Sequence, residues 1–253
     1  MTIASPDRIY TAALVIIGDE ILSGRTQDAN LAYLAKWLNV QGIRLKEVRV
    51  VADDMAAIAE AVNAVRTTRD YVFTTGGIGP THDDITIDAI AAAVGVPVII
   101  HPQAAEILRA YYGDKLTDAR LRMARAPDGA ELIENPRTGA PGIRWQNIFI
   151  MAGVPVITQG MLAALDGKLP GGKPVLSRSI GAWTFESRVA TLLATVEKAH
   201  AGVQIGSYPF WRDGKTGANF VIRATDPAIL DACATDLMAV LAADGIDAVD
   251  GEV

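Results

Sequence analysis

Hydrophobic residues along the chain form short β-type runs, separated by stretches in which they recur every three or four positions. AALVIIG at 12–18, IRLKEVRVV at 43–51 and DYVFTT at 70–75 predict strands. Stretches with helical spacing follow these strands at 28–42, 55–65 and 85–96. Strands separated by helices in this way predict βαβ units and a parallel sheet.

The same alternation continues to about residue 167. PQAAEILRAYY at 102–112 predicts a helix, NIFIMAGVP at 147–155 predicts another buried strand, and a further helix is expected to begin near Ile157. Residues 128–146 read as a polar connection. We therefore predict a first domain over 1–167, an α/β fold with a three-layer, doubly wound, mostly parallel sheet.

The second part of the chain has a different order of elements. DGKLPGGKP at 166–174 is rich in Gly and Pro with few apolar residues, which predicts a linker. After it, the patterns follow the order β-α-β-β-α-β, which is that of a split βαβ, ferredoxin-like unit. We predict a small α+β domain over 175–253.

Composition and charge exclude several classes of protein. The chain has 253 residues, of which 50% are hydrophobic, enough for one large domain or two modest ones. Its formal net charge of −6 argues against a general nucleic-acid-binding protein. The apolar run at 14–17 is far too short to span a bilayer, and no basic segment precedes a long apolar core. We expect no nucleic-acid partner and no membrane association.

Cys233 is the single cysteine of the sequence. One thiol excludes an intramolecular disulfide and a thiolate metal cluster, and it fits a reducing compartment. We therefore expect a cytoplasmic location.

The segment TTGGIGPTHDDIT at 74–86 follows a predicted strand directly. In an open parallel sheet, ligands bind where the carboxyl ends of the strands meet, near a switch in strand order. Glycines at these ends let a phosphate or pterin approach the backbone amides, and threonine hydroxyls add donors. The predicted binding residues of this segment are Thr75, Gly76, Gly77, Gly79 and Thr81.

Asp83 and Asp84 lie near the end of this segment, although carboxylates repel a phosphate. One interpretation is structural: Asp84, or Thr81 with it, caps a helix that starts at Ile85. In the other, a divalent cation lies between the carboxylates and the phosphate oxygens. The motif alone leaves both interpretations open.

The ends of the two earlier strands are acidic as well. Asp19 and Glu20 follow the first strand, and Asp53 and Asp54 follow the second. Taken singly, Asp53 or Asp54 is an ordinary helix cap. Together, the three strand ends predict an acidic rim beside the glycine loop, which favours a metal and phosphate site. The predicted metal ligands are Asp19, Glu20, Asp83 and Asp84.

Five motifs, taken in order, resemble a known fold: GDEILSGRTQDAN, VVADD, TTGGIGPTHDDIT, ENPRTGAPG and MAGVP. They are similar to the molybdopterin-binding fold of MoaB/Mog-type proteins, and most closely to the N-terminal domain of the CinA family. The resemblance covers roughly 12–165. SYPF at 207–210 also resembles the α+β segment that follows this domain in CinA-like proteins and FAD synthases.

The resemblance implies a cleft that binds a small-molecule nucleotide or a pterin. Mog-type relatives adenylylate molybdopterin with ATP and magnesium, whereas CinA-type domains are linked to metal-dependent hydrolysis of the diphosphate in ADP-ribose or FAD. By motif, Asp53 and Asp84 carry over as the catalytic acids. Further binding residues are implied in the loops that face the cleft: Asn30, Gly142 and Gly153.

Three functions follow from these observations. The preferred one is a hydrolase of a nucleotide diphosphate linkage that requires Mg, Mn or Co. The second is a molybdopterin-binding or adenylylating protein, although Ile78 and Pro80 replace the Thr and aromatic residue of Mog-type loops. The third is a non-catalytic nucleotide-binding module. By analogy alone, we expect a homo-oligomer.

Two further sets of side chains have open roles. Arg120, Arg122 and Arg125 either stabilise negative charge on a phosphoryl group or form a solvated helix face, and the second role is preferred. His82 lies between Thr81 and Asp83, where it either assists the chemistry or is a solvent-exposed loop residue, the preferred interpretation.

Overall fold

A computed structural model describes residues 8–253, and these divide into two compact units. The first unit ends at Lys173 and the second begins at Pro174. The strands of the first unit are β1 (Tyr10–Ile17), β2 (Ile43–Val51), β3 (Tyr71–Thr75), β4 (Val98–Ile100), β5 (Arg125–Pro127), β6 (Glu131–Ile133), β7 (Gly142–Trp145) and β8 (Ile148–Met151).

Helices connect most of these strands. They are α1 (Asp19–Leu22), α2 (Asn30–Val40), α3 (Met55–Arg66), α4 (Thr86–Val94), α5 (Pro102–Tyr112), α6 (Asp118–Leu121) and α7 (Pro155–Ala163). Short 3-10 turns lie at Gly113–Lys115 and Arg122–Ala124. Pro occupies the first turn of α5 and of α7, where its missing N–H has no intrahelical partner to lose.

The main sheet of the first unit has the strand order β2-β1-β3-β8-β7-β6. Strands β2, β1, β3 and β8 are parallel, and β7 and β6 add an antiparallel edge. The chain passes from β1 outward to β2 and then back to β3 on the other side, so the strand order switches between β1 and β3. This is the position at which open α/β sheets bind ligands. The predicted mostly parallel α/β fold is confirmed.

Neighbouring residues of each central strand point to opposite faces of the sheet. Leu14 and Phe73 pack in the hydrophobic core on one face with Leu34 of α2. Val15 packs in the core on the other face with Ile58 of α3. Both faces are therefore covered by helices, which explains why the central strands read as nearly continuous apolar runs.

The first unit differs from the predictions in several places. Residues 128–146, predicted as a polar connection, contain β6 and β7, whose runs of three or four residues are too short to show a period. The Gly- and Pro-rich stretch 166–174, predicted as a linker, contains the division between the two units, which falls between Lys173 and Pro174. Its first residues pack on the first unit, because Trp37 Nε1 donates to Asp166 at 2.5 Å and Tyr71 donates to the Pro170 carbonyl at 2.7 Å.

The second unit contains β9 (Leu176–Ala182), α8 (Glu186–Ala199), β10 (Gln204–Arg212), β11 (Lys215–Ala224), α9 (Pro227–Ala243) and β12 (Ala248–Asp250). Its antiparallel sheet has the order β10-β11-β9-β12, with both helices packed in one core beside Phe220. The predicted ferredoxin-like α+β unit is confirmed. Within residues 8–253, no helix combines the length and apolarity needed to cross a membrane.

Candidate functional site

The glycine loop begins where β3 meets the end of β1. Gly76 has φ +105 and Gly77 has φ +65, a region of backbone conformation that side chains disfavour. A Cβ atom on Gly76 would lie 2.1 Å from the Ile17 carbonyl oxygen, well inside van der Waals contact. Glycine is therefore required at this position, because the backbones of the two loops approach each other so closely.

Thr86, the last residue of the motif, holds this loop in place and was not predicted as a site residue. Its side chain is fully buried, and its Oγ1 donates to the Gly76 carbonyl at 2.9 Å. Its backbone N–H donates to the Gly77 carbonyl at 3.0 Å. The loop is thus fastened to the first turn of α4. The sequence feature that could have indicated this role is a threonine directly after two aspartates and an isoleucine.

Replacing Thr86 by Val is expected to destabilise the loop while keeping the side chain's shape. Val cannot donate to the buried Gly76 carbonyl, and an unsatisfied buried carbonyl costs about 1–3 kcal/mol. Urea unfolding of Thr86→Val should show that loss in the free energy of unfolding. Thr86→Ser retains the donor and should lose less, so a larger loss in the Ser variant would argue against a role for this hydrogen bond.

Asp84 closes the turn that precedes α4. Its Oδ2 accepts hydrogen bonds from the Thr81 backbone N–H at 2.8 Å and from Thr81 Oγ1 at 2.5 Å. A Cβ atom on Gly79 would lie 2.7 Å from the same oxygen, so Gly79 makes room for the carboxylate. The capping interpretation was wrong: α4 begins at Thr86, and its N-cap, Ile85, makes no side-chain hydrogen bond. Asp84 lies too early in the chain and reaches back into the turn.

Asp53 and Asp54 have separate roles at the end of β2. Asp54 caps α3 by accepting from the Ala57 N–H at 2.8 Å, as one of the two was predicted to do. Asp53 instead accepts from the Asp19 backbone N–H at 3.0 Å. Burial raises the pKa of Asp53, the Asp19 hydrogen bond lowers it, and repulsion by nearby carboxylates, including that of Glu20, raises it further. The ends of β1 and β2 thus place carboxylates close together.

A cleft of about 690 Å³ opens over the glycine loop. Several predicted residues line it: Glu20, Asp53, Gly76, Gly77, Gly79, Asp83, Asp84 and Gly153. Residues without a predicted site role also line it, among them Tyr112, Met123, Asn135, Thr138 and Met161. They come from α5, from the turns after it, from the loop between β6 and β7 and, for Met161, from α7. Asn135 and Thr138 lie in the ENPRTGAPG motif, whereas the positions of Tyr112, Met123 and Met161 depend on tertiary packing and were indicated by no motif.

Other predicted site residues do not line the cleft: three of them are buried, whereas Asp19 and Thr81 are exposed. Asn30 is buried, and its Nδ2 donates to the Gly153 carbonyl at 2.8 Å, which fastens one loop of the cleft. Thr75 is buried at the end of β3, and Gly142 lies in β7 against Met161. The remaining two are Asp19, whose backbone binds Asp53, and Thr81, whose side chain binds Asp84.

The arginines and His82 have different surroundings. Arg120 lines the cleft. Arg125 forms an ion pair with Asp88, and Arg122 donates to the Thr81 carbonyl at 3.4 Å. The His82 side chain is 100% exposed, in agreement with its interpretation as a solvent-exposed loop residue.

The acidic residues suit a cation only in part. Within residues 8–253, no group of three or more His, Cys, Asp or Glu side chains is arranged to hold a metal ion. However, magnesium commonly binds through one or two carboxylates together with substrate phosphate oxygens. Burial raises the pKa of Asp53 most and repulsion by nearby carboxylates adds to it, and a positive charge relieves that repulsion. The donor set therefore fits a cation that a phosphate ligand helps to bind.

Comparison with known proteins identifies the family. A family model described as a probable molybdopterin binding domain matches residues 13–169. The chain belongs to this family. A relative from Aeropyrum pernix is 33% identical over 210 residues, which cover 78% of each chain. A CinA-like protein from Syntrophus aciditrophicus is 33% identical over 78% of this chain and 50% of its own length. The resemblance seen in the motifs is confirmed.

Structural comparison and the second unit add to this assignment. The crystal structure of the protein CinA from Thermoplasma acidophilum matches with a TM-score of 0.59 and 33% identity, over 63% of this chain and 98% of that chain. A model described as the middle domain of FAD synthase matches residues 174–250, which form the second unit. A molybdopterin-binding domain is thus followed by a FAD synthase middle-domain-like unit.

Proposed function

We propose that this protein binds a nucleotide in the cleft and hydrolyses a diphosphate linkage of the ADP-ribose or FAD type with a divalent metal ion. The position of Asp53 supports this proposal most directly. It is a half-buried carboxylate of raised pKa that lines the same cleft as the bare backbone of Gly76 and Gly77. A proton acceptor and a phosphate-binding loop therefore face one ligand.

Hydrolysis adds water across one P–O bond of the diphosphate bridge. The water oxygen bonds to one phosphorus, and the bridging oxygen leaves with the other phosphate. Asp53 accepts a proton from the water, and that proton then passes to the leaving phosphate. ADP-ribose would yield AMP and ribose 5-phosphate, whereas FAD would yield AMP and FMN. The backbone amide of Gly77 stabilises the negative charge that grows on the phosphoryl oxygens, whereas the Gly76 amide donates to the Met151 carbonyl at 3.2 Å.

A divalent cation would be held by Asp84 with one neighbouring carboxylate of the cleft, Asp83 or Glu20, together with phosphate oxygens of the ligand. Bound there, Mg, Mn or Co would polarise the phosphoryl group and lower the pKa of an attacking water. Asp84 keeps Oδ1 for this role, because its Oδ2 is occupied by Thr81.

The test is release of AMP from ADP-ribose or FAD by the purified protein with Mg, Mn or Co. We expect AMP to form, and we expect EDTA to stop its release while leaving the folded protein intact by circular dichroism. AMP release that continues in EDTA would contradict the metal requirement. Binding of these compounds without any turnover would support the non-catalytic module instead.

The family model over residues 13–169 favours a second candidate, the binding or adenylylation of molybdopterin. This activity would use the same cleft, but ATP would be consumed only when a pterin is present. Formation of an adenylylated pterin, with no AMP released from ADP-ribose or FAD, would replace the first proposal with the second.

A further inference from the structure

The cleft is chemically asymmetric. Among the described residues that line it, four are acidic, namely Glu20, Asp53, Asp83 and Asp84, whereas Arg120 alone carries a positive charge. A diphosphate brings two anionic groups close to these acids. One phosphate is satisfied by the glycine loop and a cation, but the second needs a positive partner elsewhere on the wall. Arg120 is the side chain with that charge.

Arg120 is held in one orientation by its neighbours. Its backbone N–H donates to Thr117 Oγ1 at 3.2 Å, which fixes the first turn of α6. Its guanidinium carbon lies 4.5 Å from the centroid of the Tyr112 ring, and Nη1 donates to the Lys115 carbonyl. A guanidinium stacked and tethered in this way loses little conformational freedom when it binds a ligand.

The same contacts leave part of the guanidinium available. Within residues 8–253, Nε and Nη2 of Arg120 make no hydrogen bond, although the side chain is half-buried in the cleft wall. Two adjacent N–H groups of an arginine match two oxygens of a phosphate. A merely solvated arginine would not be fixed between a ring and a carbonyl, so these contacts argue against the interpretation of Arg120 as part of a solvated helix face.

We infer that Arg120, held against Tyr112, binds the second phosphate of a diphosphate ligand and thereby distinguishes it from a monophosphate. The inference rests on the proposed binding of a nucleotide phosphate in the cleft. Arg120 is a specificity residue, and Tyr112 is a positioning residue that acts through it.

The test compares the dissociation constants of AMP and ADP by isothermal titration calorimetry with Mg²⁺ present. Arg120→Met is expected to weaken ADP binding about 10- to 100-fold, the effect of losing charged hydrogen bonds, and to change AMP binding less than about 2-fold. Arg120→Lys keeps the charge without the planar fork and should recover only part of this loss. Arg109→Met, at an exposed position of α5, is the matched control and should change neither constant.

Variants of Tyr112 distinguish a specific role of Arg120 in ADP binding from a general loss of structure. Tyr112→Leu removes the ring and is expected to weaken ADP binding selectively, whereas Tyr112→Phe keeps the ring and should restore it. An ADP to AMP preference that is unchanged in Arg120→Met would overturn the inference while leaving the proposed function in place. A wild-type protein that binds neither nucleotide would overturn the proposed function, and the inference with it.

Discussion

Asp53→Asn is expected to lower the rate of AMP release by about 10²-fold or more, while the free energy of unfolding rises at neutral pH. The rate falls because an amide cannot accept the proton of the attacking water, and general base catalysis contributes about 10²–10⁴-fold. The Asn side-chain oxygen still accepts the hydrogen bond from the Asp19 N–H, so the local structure is retained. Steady-state rates with ADP-ribose measure the first effect.

The gain in stability follows from the pKa of Asp53. Burial and neighbouring carboxylates raise this pKa in the folded protein above its ordinary value of 3.8. At a pH between the ordinary and the raised pKa, Asp53 keeps its proton in the folded protein and releases it in the unfolded chain. The free energy of unfolding therefore falls as pH rises through that window, and stays lower above it. Asn has no charge to bury, so the variant avoids this loss.

Urea unfolding in EDTA, repeated between pH 4 and pH 8, checks the second effect. The stability difference between Asp53→Asn and wild type should be largest near neutral pH and should shrink as pH falls towards the ordinary value of 3.8. Asp54→Asn is the matched control, because that residue caps α3 and does not line the cleft. Wild-type turnover in Asp53→Asn would remove Asp53 from the chemistry.

Gly76→Ala is expected to cost about 2–6 kcal/mol in the free energy of unfolding. Part of the cost is the backbone conformation at φ +105, about 1–3 kcal/mol for a residue with a side chain. The rest comes from the clash with the Ile17 carbonyl, 2.1 Å from the new Cβ, since crowding in a packed region costs about 1–3 kcal/mol. Relief of the clash would separate β1 from β3 and open the floor of the cleft, so nucleotide binding should also weaken.

Gly95→Ala is the control that separates the cost of the backbone conformation from the cost of the clash. Gly95 ends α4 at φ +76, and a Cβ there would meet nothing within 4 Å. It should therefore cost only the left-handed backbone term, about 1–2 kcal/mol, and leave nucleotide binding unchanged. Equal losses in the two variants, measured by urea unfolding, would show that the close approach of Gly76 to Ile17 contributes nothing.

The glycine loop shows how much of the site can be predicted from a local sequence pattern. Gly76, Gly77 and Gly79 were predicted as binding residues because glycines let a ligand approach the backbone amides, and all three line the cleft. Four acidic residues were predicted after the ends of the strands: Glu20, Asp53, Asp83 and Asp84. They line one cleft because the carboxyl ends of parallel strands lie at the same edge of the sheet. The direction in which each carboxylate points was not predictable, as Asp84 shows by binding Thr81.

Sequence alone determined the longer helices and strands of the two units, the family and the glycine loop, because hydrophobic period, turn residues and motif spacing are properties of neighbouring positions. The tertiary structure decided the strand order, the short edge strands and the anchoring of residues 166–173. It also decided the placement of Arg120 on Tyr112 beside the cleft. These features depend on contacts between residues far apart in the chain, whose pairing is selected by packing and by satisfied hydrogen bonds across the whole fold.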